Sequence, residues 1–289
     1  MAATTISDRV TATADPPPTG IANPIHDGEG ADAAGYAGAL VAGVRTYGWA
    51  AQTIARAFGE EWLTGGWVDF SLRRPLFTGE ELTIAVESNT GAVRCAVDDR
   101  VVLDGTAGLG RASWLDELDP PEFAPGVEPP AIRPTYDLDS IPLGQPLRPF
   151  RVYLKPEAAR GLAADDLGID DPRYLEGDRP AIHPYFLAGR MAPLTRHNFT
   201  YGPTIHVRSQ IQHRGSAASG QDVTVGAKIV DAYDRNDHWY QVLDGRVTGS
   251  VDGELALIRH HTIFRPRGTT TPPPIGSETA LSYGERRSS

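Results

Sequence analysis

The sequence predicts an α+β protein made of two similar units, and three observations carry that expectation. An apolar helical stretch followed by short alternating strands occurs on both sides of the middle of the chain. The two sides also echo each other: Gly79-Glu-Glu-Leu-Thr-Ile84 returns as Gly220-Gln-Asp-Val-Thr-Val225 at an offset of 141, and Val102-Leu-Asp-Gly105 as Ser250-Val-Asp-Gly253 at an offset of 148. Finally, twelve of the 24 prolines fall between Pro120 and Pro180. Proline lacks an amide hydrogen and restricts its predecessor, so that stretch reads as a connector rather than a long helix or a central strand. With 289 residues the chain has room for two average domains or one large one. The expected division is a disordered tail over 1–20, a first unit over 21–112, a connector over 113–180, a second unit over 181–267 and a disordered tail over 268–289.

In the first unit, residues 33–59 are expected to form one long helix. Leu40, Val44, Tyr47, Ala51, Ile54 and Phe58 follow spacings of 4, 3, 4, 3 and 4, which place them on one face. Gly59 is the expected C-terminal cap. The first part of this helix is rich in Ala and Gly with no charge before Arg45, as suits a helix closely surrounded on every side, for instance by a curling sheet. Val68, Phe70 and Leu72 then alternate with Asp69, Ser71 and Arg73, and Leu82, Ile84 and Val86 with Thr83, Ala85 and Glu87, the period of half-buried strands. A hairpin follows, turning at Asp98-Asp99. The connector offers one short helix near 156–162. The second unit repeats the order: a helix over 184–197 interrupted by Pro193, then strands over 205–213, 223–233, 238–248 and 255–264.

Composition excludes several classes of function. The chain has 27 basic and 37 acidic residues, a net charge of −10, and no Lys/Arg block, so no nucleic-acid or membrane-surface partner is expected. Cys95 is the single cysteine, which excludes an internal disulfide and a multi-thiolate zinc site. The N-terminus lacks a basic start followed by an apolar core, and no stretch reaches the roughly 18 apolar residues of a membrane span. A cytoplasmic protein is expected. His206, His213, His238, His260 and His261 fit no zinc spacing and read as a hydrated sheet face. No nucleophile elbow, phosphate-binding loop or dinucleotide fingerprint is present.

These elements resemble the MaoC-like, or hydratase 2-like, family in its double-hotdog form, in which an antiparallel sheet wraps a central helix in each of two paired units. The residues that carry the likeness are Asn23-Pro24-Ile25-His26 followed by a stretch with Gly35, Gly38 and Gly43. The strand running into Arg74-Pro75-Leu76-Phe77-Thr78-Gly79-Glu80 adds to it. The second half, with His183-Pro184, Asn198 and Gly202-Pro203-Thr204-Ile205-His206, is similar to the non-catalytic-type half of actinobacterial double-hotdog proteins.

The resemblance implies a lyase: an enoyl hydratase/dehydratase acting on an acyl thioester of CoA or acyl carrier protein, with no metal and no redox cofactor. It leaves the oligomeric state open: one double hotdog can suffice, and further pairing into a homodimer of double hotdogs is common in the family. In the family signature Asp-x-Asn-Pro-x-His, an Asp and a His activate water and the Asn helps position substrate. His26 takes the histidine place and Asn23 the asparagine place, while Gly35 and Gly38, with Tyr36 between them, would supply the substrate-binding helix start and its oxyanion donors. The aspartate place falls on Ile21, which can neither orient an imidazole nor share its proton. Asp15, Asp27, Glu29 and Asp32 are the nearby acidic residues that stand as replacements. Two other readings stay open: a thioesterase or a cyclising or isomerising enzyme of secondary metabolism, and a non-catalytic acyl-CoA-binding or partner subunit.

Overall fold

The computed structural model describes residues 4–15, 23, 26, 28–33, 36–124, 126–200, 202–269 and 275–276. Ten strands form one antiparallel sheet. Those of the first half are β1 (Thr5–Thr11), β2 (Trp67–Leu72), β3 (Glu81–Glu87), β4 (Ala92–Val97) and β5 (Arg100–Gly108). Helices α1 (Gly28–Ala33), α2 (Gly43–Phe58) and α3 (Glu60–Gly65) lie between β1 and β2. A two-residue strand β6 (Ile132–Arg133) precedes the second half, which holds β7 (Phe150–Leu154), α4 (Pro156–Leu167), α5 (Pro172–Leu175), α6 (Pro184–Ala188), α7 (Met191–Asn198), β8 (Ile205–His213), β9 (Gln221–Arg235), β10 (His238–Gly249) and β11 (Gly253–Arg265). The strand order is β1-β3-β4-β5-β2-β8-β11-β10-β9-β7.

That order explains the doubling. Read outward from the β2–β8 seam, each half runs through the same positions: inner strand, three-stranded meander, edge strand. The seam is antiparallel, pairing Trp67 with Gln212 and Ser71 with Arg208, so an approximate two-fold axis relates the halves. Gly79 and Gly220, both with positive φ (90° and 74°), turn the chain into the equivalent strands β3 and β9, a conformation glycine adopts without steric cost. The second echo has no such meaning, because Val102–Gly105 lies within β5 whereas Ser250–Gly253 turns β10 into β11.

The tail expected over 1–20 contains a strand. Thr5–Thr11 is β1, paired with β3 from Thr5↔Glu87 to Thr11↔Glu81. Its inward residues Ile6, Asp8 and Val10 alternate with exposed ones. Asp8 accepts from Thr53 Oγ1 at 2.7 Å and pairs with Arg56, both on α2. An inward charge of this kind protects an edge strand from mispairing, and it also makes the segment look like a polar tail. Likewise the connector over 113–180 contains the second half's edge strand, β7, whose Phe150, Val152 and Leu154 are buried while Arg151 and Tyr153 face out. The short helix expected there continues to Leu167 and is capped by Gly168 at φ 66°. Within the second expected tail, Ile275–Gly276 pairs with β6.

The long helix expected over 33–59 is interrupted. α2 begins at Gly43, and before it the backbone is tied to a neighbouring loop: Leu40 bridges Phe77, and Val41 N donates to Leu76 O at 2.9 Å. Glycines at 38 and 43 weaken helix propagation enough for those bonds to prevail. Seven consecutive residues of α2, from Arg45 to Ala51, are buried, so the closely surrounded part of the helix begins where the charge-free run ends. The second helix breaks at Gly189–Arg190 rather than at Pro193. Pro193 is the third residue of α7, where no intrahelical bond needs its missing amide hydrogen. One continuous hydrophobic core spans both halves.

Candidate active site

The site is assembled around the approach to α2. After β1 the chain is held by Arg45, a guanidinium only 2% exposed. Its Nη1 donates to the carbonyls of Thr13 (2.7 Å) and Ala14 (2.6 Å), and its Nε to the carbonyl of Asp166 (2.8 Å). Carbonyl acceptors on three sides satisfy the buried charge and fix the segment that ends in Asp15. Asp15 Oδ2 accepts the Ala42 amide, directly before α2, at 2.9 Å. Its Oδ1 lies 3.5 Å from Arg45 Nη1.

His26 sits against this carboxylate. Its Nδ1 is 2.8 Å from the Leu40 carbonyl oxygen and 3.1 Å from Asp15 Oδ2. Two acceptors at Nδ1 assign the proton of the neutral ring to that nitrogen, leaving the lone pair on Nε2. Nε2 faces Asn23 Nδ2 at 3.3 Å. Asn23 is in turn pinned across the seam: its Nδ2 donates to Thr204 O at 2.7 Å, and Thr204 N donates to its Oδ1 at 3.4 Å. Burial is the largest single influence on the His26 pKa and lowers it. The hydrogen bond and charge of Asp15, helped by the Leu40 carbonyl, outweigh burial, so the net displacement is upward; the positive charge of Arg196 works against it.

Of the four acidic candidates, Asp15 is the one brought to His26. Glu29 and Asp32 are exposed on α1, and Asp27 lies outside the described residues, as do Ile21 and Gly35. Gly38 is in the irregular stretch before α2, so it is not part of a helix start. Tyr36 packs against the buried Ala31 and Leu40 cluster, as do Phe77 and Ile205. The helix-start amides are instead those of Gly43 and Val44, the first two residues of α2. Arg45 N and Thr46 N turn back to Ala42 O at 2.8 and 3.2 Å, whereas no acceptor takes the Gly43 and Val44 amides among the described residues. They carry the positive end of the helix dipole. Gly43 is in close contact with β2, since a Cβ there would stand 2.2 Å from Leu72 Cδ1. The sequence gives no site role to Arg45, the Leu40 carbonyl or the Thr204 backbone. Arg45 carried a signal, being the first charge in an otherwise charge-free apolar run.

Of the second-half histidines, His213 and His260 are not on a hydrated face, whereas His238 and His261 are partly exposed. β8 is in the middle of the sheet, and His213 and His260 are 2% and 5% exposed. Ser209 Oγ bridges His206 Nε2 (2.8 Å) and His260 Nδ1 (2.9 Å). A hydroxyl has one proton, so it donates to one ring and accepts from the other. Burial pushes the His206 pKa down to about 3, and burial with the neighbouring imidazoles keeps His260 well below its ordinary value. His183 does not repeat the His26 arrangement: its Nδ1 accepts the Tyr185 amide at 3.1 Å as the cap of α6, and Asp171 is bonded to Arg173 and Gln52. Cys95 is buried on β4, its thiol pKa pushed up to about 12. Among the described residues no His, Cys, Asp and Glu side chains are grouped to hold a metal ion, and no helix is long and apolar enough to cross a membrane.

No protein-family model matches the chain, and no curated protein matches it. Solved structures do. A MaoC domain protein dehydratase from Chloroflexus aurantiacus is similar with a TM-score of 0.62 at 11% identity, over 93% of this chain and 96% of that one. A conserved hypothetical protein from Mycobacterium tuberculosis, described as having a double hotdog fold, gives 0.61 at 14% identity, over 91% and 96%. A MaoC-like dehydratase gives 0.52 at 16% identity, over 84% and 90%. The architecture is a double hotdog, and the names of these neighbours match the family that the sequence resembles.

Proposed function

We propose that this chain is an enoyl-thioester hydratase/dehydratase of the MaoC type, acting on an acyl thioester of CoA or a carrier protein. The observation that carries the reading is the Asp15–His26–Asn23 arrangement beside the start of α2, since it restores in space the carboxylate that Ile21 removes from the signature. In the hydration direction, the Nε2 lone pair of His26 takes a proton from water as the oxygen bonds to the β-carbon of the enoyl group. The double-bond electrons move to the thioester oxygen, where the Gly43 and Val44 amides face the developing charge. Asp15 and the Leu40 carbonyl hold Nδ1–H and stabilise the imidazolium, which returns its proton to the α-carbon. Asn23 keeps the ring and the approaching substrate in register through its two bonds to Thr204.

The test is the loss of enoyl absorbance with crotonyl-CoA and longer trans-2-enoyl-CoAs. Turnover that falls about 10²- to 10⁴-fold in His26→Ala is the expected result, the range for removal of a general base. No turnover at any chain length, or a His26→Ala rate equal to wild type, contradicts the reading. Free-thiol release without hydration would favour the thioesterase, and saturable binding without either reaction the acyl-binding subunit.

A further inference from the structure

Among the described residues, four polar atoms deep in the molecule lack a hydrogen-bond partner: the hydroxyls of Tyr47 and Tyr174 and the Nε2 atoms of His183 and His213. Their residues are 0%, 1%, 1% and 2% exposed. They come from α2, α5, the cap of α6 and the end of β8, yet the fold gathers them. The Tyr174 and His183 rings meet edge-on with centroids 4.7 Å apart. Tyr174 is near enough to Tyr47 to raise its cost of ionisation, and the charge of His213 acts on His183. Unpaired buried polar groups are rare in native structures, and several in one place call for an explanation.

Their chemistry is specific. His183 Nδ1 accepts the Tyr185 amide, so the proton of the neutral ring lies on Nε2. Burial holds that ring neutral, with its pKa pushed down to about 3, and raises both tyrosine hydroxyls so that they keep their protons. Three of the four atoms are thus donors with no acceptor among the described residues, the Arg173 guanidinium that acts on the Tyr174 hydroxyl being itself a donor, and their complement is an acceptor oxygen. The group also lies in line with the candidate active site. Tyr47 is one turn into α2, about 6 Å along the axis from Gly43. It stacks on Phe70 at 4.6 Å, and Phe70 meets His206, beside Gly43, edge-on at 5.6 Å.

Resting on the acyl-thioester reading above, we propose that Tyr47, Tyr174 and His183 receive the far end of the acyl chain, and that this chain carries an acceptor oxygen, a ketone or a hydroxyl, beyond the reacting carbons. A plain hydrocarbon tail leaves the three donors unmatched and binds less well.

The test uses pantetheine thioethers, which no hydratase or thioesterase turns over, with alkyl chains of eight to twelve carbons, each with and without a ketone at the penultimate carbon. Kd is measured by calorimetry on the full chain. At the matching length the ketone analogue is expected to bind about tenfold more tightly than the hydrocarbon, the worth of one good buried hydrogen bond. Tyr47→Phe and Tyr174→Phe, which preserve shape, are expected to erase most of that difference while leaving the hydrocarbon Kd within about twofold. Equal binding of ketone and hydrocarbon at every length overturns the proposal, as does a preference that survives both substitutions. Failure of every analogue to bind overturns the acyl-thioester reading itself, and the proposal with it.

Discussion

Replacing Asp15 by Asn keeps the size of the side chain and its bond to the Ala42 amide but removes the charge beside His26 Nδ1. At 3.1 Å, two unit charges interact by about 5 kcal/mol at an effective dielectric of 20. Part of that is lost to solvent and to the dipole that Asn retains, so the working figure is that of a hydrogen bond to a charged group, about 1.5–3 kcal/mol. If the imidazolium forms in the transition state, the loss lowers kcat/KM about 10- to 150-fold. The pH dependence has a definite sign. The His26 pKa is raised because Asp15 and Leu40 outweigh burial, so without the carboxylate burial prevails and the pKa falls. Hydration needs neutral His26, and the acid limb of the kcat/KM profile therefore moves to lower pH in Asp15→Asn while the plateau drops. An NMR titration of the His26 ring checks the pKa independently of turnover. A plateau and an acid limb both equal to wild type would refute the assignment of Asp15 as the partner of His26.

Three further outcomes follow from the fold. Ser209→Ala removes the hydroxyl shared by His206 and His260 and leaves two buried imidazole nitrogens unpaired; a loss of about 2–4 kcal/mol of stability is expected by urea denaturation, and a loss under 0.5 kcal/mol would show that the bridge contributes little. Deleting residues 1–11 removes β1, with its Asp8 contacts to Thr53 and Arg56, and should lower Tm by several degrees; an unchanged melt would mean that β1 adds nothing. Stability should also fall in mild acid. His183, His206 and His213 are pushed down by burial to about 3, 3 and 4, so below pH 6.5 the unfolded chain binds protons that the folded one refuses. The loss is about 1.4 kcal/mol per pH unit for each ring, spread between pH 6.5 and the folded pKa values. Circular dichroism should show unfolding well above pH 4, and a fold that stays intact at pH 4 would contradict neutral burial of these rings.

Strand β3 was legible because its burial alternates. Leu82, Ile84 and Val86 face the core while Glu81, Thr83 and Glu87 are exposed, and the positive-φ glycines at 79 and 220 punctuate both halves alike. The edge strands were not. β1 places Asp8 inward and β7 sits among prolines, so local composition spoke against a sheet whose pairing partner is about 75 residues away. The length of α2 was overestimated because Leu40 keeps helical spacing with Val44, whereas its backbone is claimed by Phe77. At the site, Asn23 and His26 were readable from their motif. Asp15 stood among four acidic candidates with nothing local to choose between them. The choice is made by Arg45, which reaches back to Thr13 and Ala14 and so sets the carboxylate against Nδ1. That buried cation links segments about 30 and 120 residues apart, a relation no short window of sequence displays.

Running the reaction with crotonyl-CoA in ¹⁸O-labelled water and locating the label by mass spectrometry tests the central claim most directly. If His26 activates water for addition to the enoyl group, the product is a 3-hydroxyacyl thioester carrying ¹⁸O at the β-carbon, and His26→Ala forms it at a rate reduced at least about a hundredfold. Label appearing only in the carboxylate of a free acid, or no labelled product from the wild-type chain, would contradict the account.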